Sequence, residues 1–196
     1  MRMALAALLL GGFAAAHAAA PATSLERPFA AGGRITMDLS AGEYDITGSP
    51  DSRIRLDWEV EDSDRLEDVD NRLTVTGSEA RLDTDGPSGH FRVRIQVPAQ
   101  SNLHIRLTAG ELTIKGIEGD KDVELHAGEL DIDVVRPEDY GHVDAGVWAG
   151  EIHASAFRIT KEGLFRSFDW SGTGKYRLHA HLKAGELRLH NNSDVK

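Results

Sequence analysis

The segment LTAGELTIKG (residues 107–116) is followed, eighteen residues on, by LHAGELDIDV (125–134), then by WAGEIHAS (148–155) and LKAGELRLH (182–190). Each writes alanine, glycine, glutamate and an apolar residue in that order. Before the first glycine, Leu103, Ile105, Leu107 and Ala109 alternate with polar residues, and Leu112 and Ile114 resume the alternation in the opposite phase. A period of two marks a strand with one buried face. The phase resets at Gly110, where glycine admits a positive φ and lets the chain bulge or turn while its apolar side chains stay inside. Ala109 suits the crowded interior of such a bend.

The other copies keep the same grammar. Leu125, Ala127, Leu130 and Ile132 point inward in the second, Val147, Ala149 and Ile152 in the third, and Leu182, Ala184, Leu187 and Leu189 in the last. An earlier copy, LSAGEYDITG (39–48), adds Gly42 to the turn glycines Gly110, Gly128, Gly150 and Gly185. The last four are spaced 18, 22 and 35 residues apart. A period near 20 residues, with each unit unable to bury its apolar face alone, predicts rungs stacked in chain order. The 35-residue gap then reads as one rung carrying an insertion, Thr160 to Lys175, that leaves the stack. Residues 54–60, 73–75 and 91–97 alternate between polar stretches and predict irregular mixed or antiparallel strands in the N-terminal part. The fold class is therefore all-β: a single-stranded β-helix or β-solenoid, with a compact β-sandwich as the alternative.

The chain opens MRMALAALLLGGFAAAHAAA, one basic residue before a short apolar run and an Ala-x-Ala site. That pattern predicts a signal peptide over 1–18, and with it an exported protein, periplasmic or extracellular. A flexible stretch (19–27), one domain (28–190) and a polar tail (191–196) follow; roughly 175 residues suffice for a single core. With no cysteine there is neither a disulfide framework nor a lipid-anchoring motif, and no second apolar run is long enough to predict a transmembrane segment. The net charge of −10 argues against nucleic acid or anionic lipid as a partner.

In-register stacking would put Glu111, Glu129, Glu151 and Glu186 in an outward column about 4.8 Å apart. Solvated, such a column guards an apolar-cored sheet against pairing with other molecules. The alternative is a carboxylate rail for Ca²⁺, a cation that takes oxygen ligands. The same register places Arg106 beside Glu124, Lys115 beside Asp133, and Asp131 beside both Thr113 and His153. It also puts His179 and His181 next to His104, and imidazoles on one face suit Zn²⁺ or Ni²⁺. No metal and no cofactor is expected, because exposed strand histidines are the simpler reading.

No HExxH, CxxC, Gly-x-Ser-x-Gly or P-loop motif occurs. The expectation is a protein that is not an enzyme. The alternative, a carbohydrate-active lyase or hydrolase, would draw on Asp131, Asp133 and His153, with His126 in reserve. The aromatics of residues 161–175 stand out in a chain with few. Phe165, Phe168 and Trp170, with Arg166 and the outward Trp148, read either as a cover over an open end of the stack or as a binding patch for an envelope protein or glycan.

GGRITMDLSAGEYDITGS (32–49), FRVRIQVPAQSNLHIRLTAGELTIKGIEG (91–119) and the repeated Ala-Gly-Glu rungs together resemble the bacterial "putative adhesin" or toastrack family, a domain of unknown function in cell-envelope proteins. There the rung more often reads Ser-Gly-Asp. The resemblance covers about residues 28–190. It implies a β-helix-like fold, scaffolding or sensing at the cell envelope, and no catalytic residues to carry over.

Overall fold

The computed structural model describes residues 23–87 and 90–191. Its strands are β1 (Ser24–Pro28), β2 (Arg34–Leu39), β3 (Gly42–Ser49), β4 (Arg53–Glu59), β5 (Asp70–Thr76), β6 (Glu79–Asp85), β7 (Arg92–Pro98), β8 (Asn102–Lys115), β9 (Lys121–Asp133), β10 (Tyr140–Ala154), β11 (Ile159–Ser171) and β12 (Tyr176–His190). The protein is all-β, and the twelve strands make one mixed sheet that is not closed.

The alternation in β8 buries Leu103, Ile105 and Leu107, skips four positions, and buries Leu112 and Ile114. That skip has a geometric counterpart. β8 and β9 pair in parallel from Leu103↔Lys121 to Ile114↔Ile132, yet only residues 116–120 connect them. A straight strand of this length would span about 45 Å, whereas the connection reaches only about 20 Å. The strand must therefore fold back at its Ala-Gly step so that its two ends approach each other. Glycine is required there twice over. Gly110, Gly128, Gly150 and Gly185 all have positive φ, between 120° and 141°. A Cβ on Gly128 would also lie 1.8 Å from the carbonyl oxygen of Gly110, and one on Gly185 would lie 1.8 Å from that of Gly128. Gly42 lies in register with Gly110 but lacks the positive φ, because β2 and β3 are interrupted there rather than continuous.

The parallel stack runs β2/β3, β8, β9, β12, β10, with β11 antiparallel on its outer side. Beyond β2/β3 the sheet parts. One arm continues through β6 to β5, the other through β7 and β4 to β1. The buried residues of all these strands, from Phe29 to Leu189, form one core.

Three expectations need correction. Rungs do not stack in chain order, because β12 is inserted between β9 and β10. Residues 160–175 do not leave the stack: β11 pairs with β10 from His142↔Ser171 to Ala154↔Ile159 and brings its own glycine, Gly163, opposite Gly150. Spacing along the chain records the length of each rung but not which rung becomes its neighbour. The stretch expected to be flexible is a strand from Ser24, held by pairing with β4 and anchored by the buried Phe29, whose N–H donates to the Ser52 carbonyl. The signal peptide expected at 1–18, and all but the first residue of the polar tail expected at 191–196, lie outside the described residues.

Candidate functional site

The glutamate column is longer than its four predicted members. The register carries it through Glu43, Glu111, Glu129, Glu186, Glu151 and Glu162. Two arginines and a histidine tie it together. Arg188 Nε donates to Glu186 Oε1 at 2.6 Å and Nη1 to Glu129 Oε2 at 3.1 Å. His153 Nε2 lies 3.0 Å from Glu151, and Arg92 Nε donates to Glu43 at 2.7 Å. These side chains are partly exposed, so solvent screens each contact. The cross-ties offset repulsion along the column and occupy the carboxylate oxygens a rail of cations would use.

Asp131, Asp133 and His153 do not converge. Arg188 stands between Asp131 and His153 in the register, so the expected Asp131–His153 neighbourhood is corrected to Asp131–Arg188–His153. β12, absent from that place in the expected order, supplies the intervening residue. Asp133 is buried, with His190 opposite it on β12; the β8–β9 pairing ends one step short of Lys115 and Asp133, and Lys115 Nζ lies 4.0 Å from Asp45. Arg106 does stand beside Glu124, at 3.5 Å. His126 sits in a different row, next to Lys183 and Trp148 in a groove.

The aromatic set splits in two. Phe168 is 5% exposed and Trp170 is half-buried; both lean on Phe157, with ring centroids 6.1 and 5.0 Å away, and so close one side of the core. Trp148 and Phe165 do the opposite. They are 67% and 69% exposed, in edge-to-face contact at 5.4 Å, with Leu164 beside Phe165 at 64%. Arg166 is engaged within its own turn, Nε donating to the Glu162 carbonyl at 2.6 Å. Phe165 carries a φ of 53°, uncommon for a bulky side chain. Next to this pair Glu124, His126, His181 and Lys183 line a groove of about 420 Å³. Leu164 escaped sequence reading because β11 buries only Phe168 and shows no alternation.

His179 is separated from His104 by Asp122, with which both are in register. His104 Nδ1 contacts Asp122 at 2.8 Å; His179 Nδ1 contacts Asp144, on β10, at 2.9 Å. Asp144 also approaches His181, at 3.2 Å. Sequence reading also missed Lys121, which is buried where the rungs on either side place Leu103 and Leu178. Its Nζ donates to the carbonyls of Ile117 and Gly119 and to Tyr140 Oη. Desolvation lowers the Lys121 pKa to about 8, against the opposing pull of Asp120, Asp133 and Glu118, and raises that of Tyr140.

No family model and no curated protein matches the sequence. The crystal structure of a "putative cell adhesion protein" from Clostridium sporogenes matches over 86% of this chain and 99% of that one, at 12% identity and a TM-score of 0.53. The two chains share a fold. A "putative adhesin" from Parabacteroides distasonis matches 57% of this chain and 52% of its own, at 18% identity and a TM-score of 0.25. Another from Bacteroides fragilis matches 86% and 98%, at 8% identity and a TM-score of 0.29. The structural neighbours thus bear adhesin or cell-adhesion names, as the resemblance implied. Among the described residues no helix is long and apolar enough to cross a membrane.

Proposed function

We propose that this chain is an exported, non-enzymatic, adhesin-like interaction module of the cell envelope, periplasmic or extracellular, that holds a protein or glycan partner against Trp148, Phe165 and Leu164. The folded-back parallel strands β8, β9, β12 and β10, with antiparallel β11 along their outer side, serve as a solenoid-like frame for that patch. The observation that carries the reading is the exposure of Trp148 and Phe165, two aromatic rings in mutual contact, the first of them lining a groove, with the exposed Leu164 next to Phe165 in the chain. Clustered exposed aromatics mark interaction sites, and aromatic anchors dominate binding energy. The left-handed φ of Phe165 costs about 1–3 kcal/mol, and its ring, 69% exposed, recovers little of that by burial. A backbone outlier that presents a ring to solvent is what a held binding residue looks like. Phe168 and Trp170 belong to the core and Arg166 to its own turn, so the patch is narrower than the sequence suggested.

Photo-crosslinking tests this in the native host, with the crosslinking residue at Leu164 and the adduct identified by mass spectrometry. A discrete adduct is expected, lost in Trp148→Ala and Phe165→Ala variants that retain the wild-type melting temperature. A folded, exported protein that yields no adduct, or one indifferent to both substitutions, overturns the assignment of this patch.

A further inference from the structure

We propose that Asp144, His179 and His181 form a site for a single divalent ion of the borderline class, Zn²⁺ above all. Among the described residues this is the one group of three or more ligating side chains whose donor atoms all lie within 4.8 Å of one another. The register builds it: His179 and His181, two apart on β12, share the outward face, and Asp144 on β10 lies directly opposite His179. One carboxylate thereby meets two imidazoles, its Oδ2 lying 2.9 Å from His179 Nδ1 and its Oδ1 3.2 Å from His181 Nε2. Tetrahedral zinc, with bonds of about 2.0–2.2 Å, needs donors about 3.3 Å apart, so both spacings are already close to those of a bound ion.

Two further observations separate this group from ordinary ion pairs. His181 Nε2 is shielded from solvent and, despite its 3.2 Å approach to Asp144, has no aligned hydrogen bond. The seat of that ring is cut out of the neighbouring strand: Gly146, opposite His181, would carry a Cβ 3.0 and 3.1 Å from the ring's Cε1 and Nδ1. Gly146 has no positive φ, so the backbone does not call for glycine there, and an added Cβ would displace the imidazole by a few tenths of an ångström. The two rings stack with centroids 4.2 Å apart and planes within 16°, which sets both imidazoles beside the one carboxylate. On β9, Asp122 and Glu124 lie in register with His179 and His181, and their own contacts run to the far side, to His104 and Arg106. The donor set of two nitrogens and one oxygen suits Zn²⁺, with Cu²⁺ and Ni²⁺ as competitors, and is poor for Ca²⁺ or Mg²⁺. All three side chains are partly exposed, leaving a fourth position for water or a ligand in the adjoining groove.

The test is zinc titration of the tag-free, EDTA-treated full chain by calorimetry, with native mass spectrometry for stoichiometry and Co²⁺ absorption for geometry. One Zn²⁺ per chain and the intense visible bands of tetrahedral Co²⁺ are expected. Affinity should fall more than about tenfold in His179→Ala, His181→Ala and Asp144→Asn, and stay unchanged in His90→Ala, whose imidazole pairs with Glu61 elsewhere. Gly146→Ala should weaken binding without removing a ligand. Circular dichroism of each metal-free variant establishes that it is folded. Absence of stoichiometric zinc, or zinc that survives both histidine substitutions, overturns the site. Neither result bears on the crosslinking of the aromatic patch, so the two proposals fail separately.

Discussion

At the scale of single residues, the Ala-Gly-Glu repeat records a packing constraint more than a chemical one. Each stacked glycine has the next rung's glycine carbonyl lying where its Cβ would be. Gly128→Ala therefore forces both a left-handed alanine and a 1.8 Å overlap with the Gly110 carbonyl. Relief requires neighbouring strands to move apart, and the expected loss is about 2–5 kcal/mol in urea unfolding. Gly77→Ala isolates the conformational part. Its φ is 60° but nothing lies within 4 Å of the added carbon, so the loss should stay near 1 kcal/mol. Equal losses at the two sites would mean the stacked carbonyls do not set the cost. The glutamate after each glycine is a consequence of the same register. Once the glycines stack the glutamates must; Arg188 and Arg92 sit where they reduce the repulsion, and His153 contacts Glu151.

At the scale of elements, the return from β8 to β9 shows what sequence pattern could and could not convey. The phase reset at Gly110 was legible because it interrupts a strict alternation, and so were the inward faces of both halves. Lys121 was not, since a lysine at the start of a strand reads as a solvent-facing residue. In the folded chain it replaces an apolar rung residue and satisfies two carbonyls of the tight connection, which would otherwise be buried without donors. Its lowered pKa has a defined sign in stability. Below pH 8 the folded and unfolded chains both hold the proton, and the burial penalty is constant. Between about pH 8 and 10.5 the unfolded chain keeps a proton that the folded chain has released, so this group's contribution becomes more favourable as pH rises. Lys121→Met removes the titration, while the orphaned carbonyls it creates cost the same at every pH. The stability of wild type relative to Lys121→Met should therefore rise by about 1–3 kcal/mol from pH 7 to pH 10. Parallel pH profiles for the two proteins would show that Lys121 keeps an ordinary pKa.

At the scale of the whole molecule, the order β9–β12–β10 distinguishes this sheet from a serial stack, and glycine spacing could not reveal it. Alternation tells which face is buried. It does not tell which strand lies alongside, and β11 shows no alternation because only Phe168 turns inward. The inserted order has a consequence for folding. In a serial stack the final rung is a terminal cap, and its loss leaves the others paired. Here β12 is bonded on both sides, and a chain ending at Lys175 leaves long edges of β9 and β10 facing one another without a partner. It also loses the four buried leucines 178, 182, 187 and 189. At about 1.5–3 kcal/mol each, these rival the about 5–15 kcal/mol by which a domain is stable at all. The truncated chain should show no cooperative urea transition and no near-ultraviolet circular dichroism. A residual cooperative transition with native-like dichroism would mean that β9 and β10 close on each other without β12, and that the sheet tolerates the serial order its glycines suggest.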